Sequence, residues 1–550
     1  MAEQQEKRWV TIVTVGFMVF STFFGAGNLI FPPFLGFVGG GSSWLAGFIF
    51  FIIFDTVLGV LGLAASGKYP QVELGVFYRP GRKFMIIIGA VATFIGSLLV
   101  VVPRTALMSY QVFFEPIKYG GFGNVPQGLT GVRPDAIIFI VVFLALATFC
   151  AIRPSKVIDV VGKFLTPALL VILIILIVIG LANMSGTGVR PEAVATGSPS
   201  IIAFGITQGL QTFDAATGTI IAVIIIAGLQ AKGIKKASDQ TKTILQSGVV
   251  AAICLVVIYL GLALLGLFYS NDPALMEMYG GGSLGQIYLL NYIISSNLGL
   301  AGTVIFGLAV LFATFTTAIG CISLTSEYYS RISGRKLKYQ NAVIIGMVIA
   351  FVIAIALSTT ASGVDTLLNL TIPVLLITAP ITVVLIILNL FTDYIKNDNV
   401  YRGATIAAGI WGLVWGLAYL FTVTAGIDAM PDANGQVHLG LAATMQFNEK
   451  FEIVGFTEHM KGFFNLVGWM FGQTPYSAAM NLSTDAAKVG GWNILFKVTG
   501  DLGYIIPAII GGLIGACIKK GGYEERPYLR EHAGDDSFDF AAAAAKKAGK

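Results

Sequence analysis

The chain alternates between long apolar stretches and short polar connections along most of its length. Runs such as 157–182, 250–268 and 342–357 approach or exceed the roughly 20 residues that a helix needs to cross a hydrocarbon core. The pattern predicts an all-α integral membrane protein with about twelve transmembrane helices. The predicted spans run near residues 9–33, 44–65, 84–110, 134–152, 156–183, 200–230, 243–269, 298–326, 341–358, 364–391, 402–424 and 502–518.

Basic residues on the short connections indicate how these spans are oriented. If the amino terminus lies inside, most lysines and arginines fall on inner segments, and the short outer loops carry only Lys118, Arg133 and Arg190. This asymmetry satisfies the positive-inside rule. We therefore expect a multi-pass protein of the plasma membrane with both termini in the cytoplasm.

The predicted spans divide the chain into three parts. Residues 1–398 form a core of ten spans, and residues 399–520 add two spans with a long extracellular insertion at 425–500. The apolar portion 466–471 of the insertion is too short to span, so it is either re-entrant or lies on the surface. The charged and then alanine-rich tail 521–550 indicates a disordered cytoplasmic end.

Composition agrees with a membrane protein and excludes several other classes. Of 550 residues, 56% are hydrophobic and 11% are charged, which is more apolar surface than one soluble core can hide. No basic stripe is interleaved with exposed aromatic residues, so a nucleic-acid partner is not expected. The three histidines, at positions 438, 459 and 532, lie outside the predicted spans. No nucleophile–histidine set, metal motif or phosphate loop indicates an enzyme or an organic cofactor.

The outer half of the first span contains residues that interrupt a helix. Gly25, Gly27 and Asn28 are followed by Pro32 and Pro33 within an apolar run. Glycine removes side-chain cover from the backbone, and the backbone groups freed in discontinuous transporter helices bind solutes. The alternative is close helix packing through small residues. The glycines alone favour packing, but Asn28 favours a binding site because a buried amide is costly unless it is bonded.

The sixth span repeats this combination of small and polar residues. Gly205, Thr207, Gln208 and Gly209 lie within it and precede Asp214. Paired interruptions at corresponding positions of two halves indicate the binding site of a transporter. Because the two broken spans are five apart, we expect a five-plus-five inverted repeat with discontinuous helices 1 and 6.

Three ionisable residues fall within the predicted spans, where a central charge costs about 2.5–3.5 kcal/mol. They are Asp55, Arg104 and Asp214, and we treat them as candidates for gating or coupling. Asp214 either caps the inner half-helix or serves in a gate or in proton coupling. Arg104 is expected to reach the outer interface, and Asp55 has no evident partner.

The first span also carries a resemblance to a known family. The segment Gly-Phe-Met-Val-Phe-Ser-Thr-Phe-Phe-Gly-Ala-Gly-Asn-Leu-Ile-Phe-Pro-Pro, at 16–33, closely resembles the first helix of bacterial branched-chain amino acid:cation symporters of the BrnQ type. Pro103-Arg104-Thr105, Phe213-Asp214 and Thr316-Thr317-Ala318-Ile319-Gly320 also look like that family. The resemblance covers residues 9–395. It implies a LeuT-like fold, uptake of leucine, isoleucine and valine, and coupling to sodium, and it makes 1–398 a transport core.

The eighth span carries a candidate cation site. Ala313, Thr316 and Thr317 lie at i, i+3 and i+4, so two hydroxyl groups and one backbone carbonyl share a helix face. The resemblance to LeuT-fold sodium sites adds the carbonyl groups of Ser21 and Phe24. The alternative is that Thr317 bonds the Ala313 carbonyl of its own helix, as membrane threonines often do.

The amino acid that the resemblance implies has two charged ends to place. Its carboxylate should lie at the N-terminal end of a half-helix, which makes Ala26, Gly27 and Asn28 the candidates. Its ammonium group needs acceptors, which backbone carbonyls at Gly205–Gly209 supply, with Thr207 and Gln208 nearby.

The sequence therefore predicts a sodium-coupled symporter that imports branched-chain amino acids by alternating access. Two alternatives stay open, namely a proton-coupled symporter of neutral amino acids that uses Asp214 or Asp55, and a membrane amino-acid sensor that does not transport. A channel is disfavoured, because channels build filter rings from several subunits. The expected partners are a small amino acid, the sodium ion and the lipid bilayer.

Overall fold

The structure is a computed structural model of the whole chain. It describes residues 2–67, 75–121, 125, 131–152, 166–182, 188–194, 200–231, 234, 237–280, 285–359, 363–392, 394–424, 446–447, 453–454 and 504–518. The predictions for the tail 521–550, and for the insertion 425–500 apart from four of its residues, lie outside this described part.

The described residues are almost entirely helical. The first part of the chain forms helices α1 Ala2–Phe23, α2 Ala26–Gly39, α3 Ser43–Ile52, α4 Leu58–Gly67, α5 Arg82–Val91, α6 Val102–Ser109, α7 Glu115–Lys118, α8 Pro134–Ala151 and α9 Thr166–Ala182. The second part forms α10 Ile201–Gln211, α11 Asp214–Ala231, α12 Ala237–Phe268, α13 Pro273–Gly280, α14 Gln286–Ile332, α15 Tyr339–Ser358, α16 Gly363–Leu390, α17 Asp398–Thr424 and α18 Ile505–Cys517. Two-residue antiparallel strands, β1 Gln446–Phe447 and β2 Ile453–Val454, are the exception.

Wider helical turns continue several of these helices without a break. The π-helical segment Ile53–Val57 joins α3 to α4, and Ala92–Val101 and Tyr110–Phe114 flank α6. A 3₁₀ turn forms at Gly75–Phe77. The third predicted span is therefore a continuous helical stretch that extends to Lys118, beyond its predicted end at 110.

The observed helices overlap all of the predicted spans. Among the described residues, six helices are long and apolar enough to cross a membrane, and α1 with α2 adds a seventh if the bent pair forms one span. Shorter apolar helices lie at Pro167–Ala182, Val374–Leu390 and Ile505–Cys517. The all-α membrane architecture is thus confirmed, while the count of twelve stays a prediction. The helix around the eighth span starts earlier than predicted, at Gln286, and is interrupted at Gly299, where φ is 58°.

Small residues let the helices cross closely. A Cβ on Gly36 or Gly266 would overlap the backbone of the partner helix, so α2 and α12 meet backbone to backbone. The same holds for Gly403 and Gly511 between α17 and α18. A buried ion pair between Arg79 and Asp398 further ties α17 to the core. Close packing through small residues is the usual way in which membrane helices associate.

Candidate functional site

The first span is broken at the position that its glycines indicate. Helix α1 ends at Phe23, α2 begins at Ala26, and the two axes differ by 68°. Gly25 lies in the break with extended backbone angles, and its N–H donates to the Asn28 side-chain oxygen over 3.2 Å. The N–H groups of the first turn of α2 have no acceptors within their own helix. The break therefore presents free donors and the positive end of a helix dipole.

The second break lies further along the chain than predicted. Helix α10 runs without interruption from Ile201 to Gln211, and α11 starts at Asp214. The turn is made by Phe213, whose φ of 65° is rare for a residue with a side chain. The carbonyl groups without a helical N–H partner therefore belong to the last turn of α10, which includes Gln208 and Gly209 of the predicted range but not Gly205.

The two predicted glycines of the sixth span serve close packing. A Cβ on Gly205 would overlap the carbonyl of Gly47, and one on Gly209 would lie 2.7 Å from the carbonyl oxygen of Phe51. Both positions therefore hold α10 tightly against α3, as the packing interpretation requires. Thr207 is half-buried, and Gln208 is buried with a side-chain oxygen that has no partner among the described residues. Their contact with substrate stays a prediction.

Asn28 joins the two broken spans. Its amide nitrogen lies 3.1 Å from a carboxylate oxygen of Asp214, the first residue after the second break. The same nitrogen lies 3.1 Å from Asp55 and 2.6 Å from the hydroxyl oxygen of Tyr259. An amide has two hydrogens for these three oxygens, so the bonds are shared. The polar residue that favoured a binding site is thus the centre of a buried polar cluster.

Asp55 has partners that the sequence did not indicate. It is fully buried in the π-helical segment between α3 and α4, and besides Asn28 it accepts a 2.7 Å hydrogen bond from Thr56. Such segments occur frequently at functional sites. Tyr259 was missed altogether, because a tyrosine in an apolar run resembles ordinary core until its hydroxyl partner is known.

Asp214, for which the sequence leaves both capping and a gating or coupling role open, lies at the start of α11. It occupies the first position of α11, where an acidic residue suits the helix dipole. Its carboxylate, however, accepts from Asn28 across the break, and its backbone N–H lies 3.4 Å from the Thr212 hydroxyl. A direct link between the two broken spans is therefore the observed contact, while the coupling role stays a prediction.

The predicted cation site residues converge beside the first break. The hydroxyl oxygen of Thr316 lies 2.9 Å from the Ala313 carbonyl oxygen and 3.3 Å from that of Ser21. A Cβ on Gly25 would lie 2.9 Å from the hydroxyl oxygen of Thr317. Helix α14 therefore presents its threonine pair directly to the break, at Ser21 and Gly25.

Two buried hydroxyl oxygens at this place have no partner in the part of the chain that the structure describes. Among the described residues, neither the Thr317 hydroxyl nor the Ser21 hydroxyl makes a hydrogen bond. The hydrogen bond to the Ala313 carbonyl, which the alternative interpretation assigns to Thr317, is made by Thr316 instead. Phe24 directly precedes Gly25, and its N–H donates to the Phe20 carbonyl over 2.7 Å. Unsatisfied buried oxygens are costly, and they fit a ligand that needs oxygen donors.

Arg104 does not reach the outer interface as predicted. It lies within α6, in the middle of the helical stretch that ends at Lys118, and its side chain is 2% exposed. Its Nη2 atom lies 3.1 Å from the place that a Cβ would take on Gly27. No ion pair joins it to Asp55 or Asp214 in the described part of the chain.

Comparison with known proteins gives a family match over most of the chain. The family model described as "Branched-chain amino acid transport protein" matches residues 9–433. Branched-chain amino acid carrier proteins from two Staphylococcus aureus strains, bovine RF122 / ET3-1 and USA300, are each 30% identical over 389 residues. The alignment covers 70% of this chain and 83% of each relative.

Two solved structures are also similar. Mhp1, a nucleobase-cation-symport-1 family transporter in a closed conformation with bromovinylhydantoin bound, is 15% identical with a TM-score of 0.47. MhsT in complex with L-phenylalanine is 17% identical, also with a TM-score of 0.47. The matches cover 75% and 74% of this chain, and 90% and 95% of the respective structures.

Proposed function

Because the chain belongs to the family of branched-chain amino acid transport proteins, we propose that it is a sodium-coupled symporter that imports leucine, isoleucine and valine by alternating access. The family consists of transporters, not enzymes. The proposal includes residence in the plasma membrane with both termini in the cytoplasm, as the distribution of basic residues favours.

One observation carries the proposal: the two broken spans meet at Asn28 and Asp214. Backbone that leaves the helical hydrogen-bond pattern at membrane depth is tolerated where it lines a cavity or is buried in protein. Here both breaks are buried, face each other, and are linked through a polar cluster. Transporter sites are built from such facing half-helices near the midplane.

The amino acid is oriented by the opposite dipoles of the two breaks. The N-terminal end of α2, at Ala26, Gly27 and Asn28, favours the carboxylate. The C-terminal end of α10 carries the negative end of a helix dipole, which favours the ammonium group, and Asp214 adds negative charge there. The aromatic rings of Phe24 and Phe51, both packed on Tyr259, supply apolar surface beside the polar cluster.

Sodium is placed between α1 and α14 in this proposal. The ligands are the carbonyl oxygens of Ser21, Phe24 and Ala313 and the hydroxyl oxygens of Thr316 and Thr317. The unpartnered Thr317 oxygen supports this assignment, since no protein donor competes for it among the described residues. Because Ser21 lies in α1, Phe24 directly follows α1 and the other ligands lie on α14, sodium binding would fix the start of the first break against α14 and so stabilise the arrangement that holds the amino acid.

The driving force is sufficient for accumulation. One cation moving through about 100 mV releases about 2.3 kcal/mol. A tenfold sodium gradient adds about 1.4 kcal/mol. Together the membrane potential and the sodium gradient sustain a roughly 500-fold amino-acid gradient.

The test is leucine accumulation in proteoliposomes that contain the purified full-length chain. With an inward sodium gradient and a negative interior potential, tritiated leucine is expected to accumulate well above the outside concentration. Replacing outside sodium by choline at fixed pH should reduce accumulation to the level of empty liposomes, because the cation site then has no ligand.

Two results would contradict the proposal and point to the alternatives. Equal accumulation in choline, lost when a proton gradient is collapsed, would indicate proton coupling, with Asp55 and Asp214 as the carriers. Saturable leucine binding without any accumulation would indicate a sensor.

A further inference from the structure

Arg104 is a buried cation, and some of its N–H donors make no hydrogen bond to the described residues. In the described part of the chain, its Nε and Nη1 atoms have no hydrogen-bond partner, and its side chain is almost completely buried. A guanidinium group keeps its charge and offers five N–H donors. Burying that charge without a partner is strongly unfavourable. The fold therefore holds Arg104 in a position that an external anion would stabilise.

Two other guanidinium groups, one buried and one half-buried, form ion pairs with carboxylates of the fold. Arg79 pairs with Asp398, and Arg133 pairs with Glu115. The carboxylates nearest to the break, Asp55 and Asp214, instead contact Asn28. Among the described residues, no carboxylate lies within ion-pair distance of Arg104, and Asp214 acts on its charge only through space, without direct contact.

Arg104 lies beside the N-terminus of α2, which also favours an anion. Its Nη2 atom approaches Gly27 in the first turn of α2, and the absence of a side chain there leaves room for the approach. A helix N-terminus carries partial positive charge and free N–H groups, so a cation beside it is electrostatically unfavourable. A carboxylate between the two would satisfy both, because it accepts hydrogen bonds from backbone N–H groups and pairs bidentately with a guanidinium.

We propose that Arg104 binds the carboxylate of the transported amino acid, together with the N–H groups at the start of α2, and so restricts transport to molecules with a free carboxylate. The inference rests on the proposed function, since it assigns a ligand to that same site. It replaces the expected gating role of Arg104 with direct recognition. Arg104 approaches the break from α6, which continues into π-helical segments at both ends.

The test compares leucine with leucinamide, which keeps the side chain and the ammonium group but lacks the carboxylate. Binding of each is measured by titration calorimetry on the purified full-length protein in saturating sodium. The wild-type protein is expected to prefer leucine by about 100-fold or more, because a site built for an anion rejects an analogue without one. Arg104→Gln should lower leucine affinity by about 100-fold and change leucinamide affinity by less than about threefold.

The controls separate recognition from a structural role. Arg133→Gln removes a guanidinium whose partner is Glu115, and it should leave the preference for leucine unchanged. An equal loss of both ligands in Arg104→Gln, or an unchanged preference, would overturn the inference. If Arg104→Gln does not fold, the same two affinities are measured on Arg104→Lys. A preference reduced about tenfold supports the bidentate role, and an unchanged preference overturns it. Failure of the wild-type protein to bind leucine would instead reject the proposed function itself.

Discussion

Thr317→Ala is expected to weaken sodium affinity by about tenfold or more, equivalent to about 1.4 kcal/mol. The substitution removes one hydroxyl oxygen that is buried, faces the first break and has no protein partner among the described residues. No hydrogen bond within the fold is lost, so the variant should fold as the wild type does. Leucine affinity at saturating sodium should change much less, because the proposal assigns this oxygen to the cation and not to the amino acid. The measurement is leucine binding titrated over a range of sodium concentrations.

Thr314→Ala is the matched control on the same helix. Thr314 is also buried, but its hydroxyl donates to the Val310 carbonyl over 2.7 Å and contacts the Ser109 hydroxyl of α6. Loss of the Thr314 hydroxyl should leave the sodium dependence of leucine binding unchanged. If Thr314→Ala and Thr317→Ala shift the sodium dependence equally, or if Thr317→Ala weakens leucine more than sodium, the assignment of the cation site is wrong.

Gly27→Leu is expected to abolish leucine binding, which means a loss of more than about 100-fold in affinity. A Cβ at this position would lie 2.7 Å from the ring of Phe31 and 3.1 Å from Arg104, and both are ends of side chains that can move. The larger side chain would then occupy the space in front of the first turn of α2. The fold should survive, because the three atoms nearest to the new Cβ belong to movable side chains, whereas at Gly205 they belong to the backbone of Gly47. Leucine binding and the melting temperature in detergent are the two measurements.

Gly96→Leu provides the comparison for this substitution. Gly96 lies in the π-helical segment before α6, and a Cβ there meets nothing within 4 Å. Leucine binding should persist in this variant. Retained binding in a folded Gly27→Leu protein would mean that the glycines of the first break serve packing only.

The first break was predictable because its signals are local. Gly25, Gly27 and Asn28 lie within four residues, and the conflict between them and an apolar helix is visible without any knowledge of neighbours. The family resemblance carried by the same segment is confirmed by the match over residues 9–433. The face shared by Ala313, Thr316 and Thr317 followed from helix periodicity alone.

The remaining features depend on tertiary neighbours that periodicity does not specify. Gly205 and Gly209 looked like a break but pack against α3, whereas the break falls at Phe213, which has no glycine to mark it. Arg104 was expected at the interface because its span seemed to end near residue 110, but wider helical turns carry the helix further. Tyr259 could be assigned to the polar cluster only through its distance to Asn28.

The central claim is that sodium transport and leucine transport are coupled. Coupling is reciprocal, so if a sodium gradient drives leucine uptake, a leucine gradient must drive sodium uptake. The most direct measurement is therefore the uptake of radioactive sodium into proteoliposomes under an inward leucine gradient, with no initial sodium gradient. The proposed mechanism predicts that leucine accelerates sodium entry in wild-type protein and that Thr317→Ala greatly reduces this acceleration at low sodium. Leucine entry without any leucine-dependent sodium entry would contradict it.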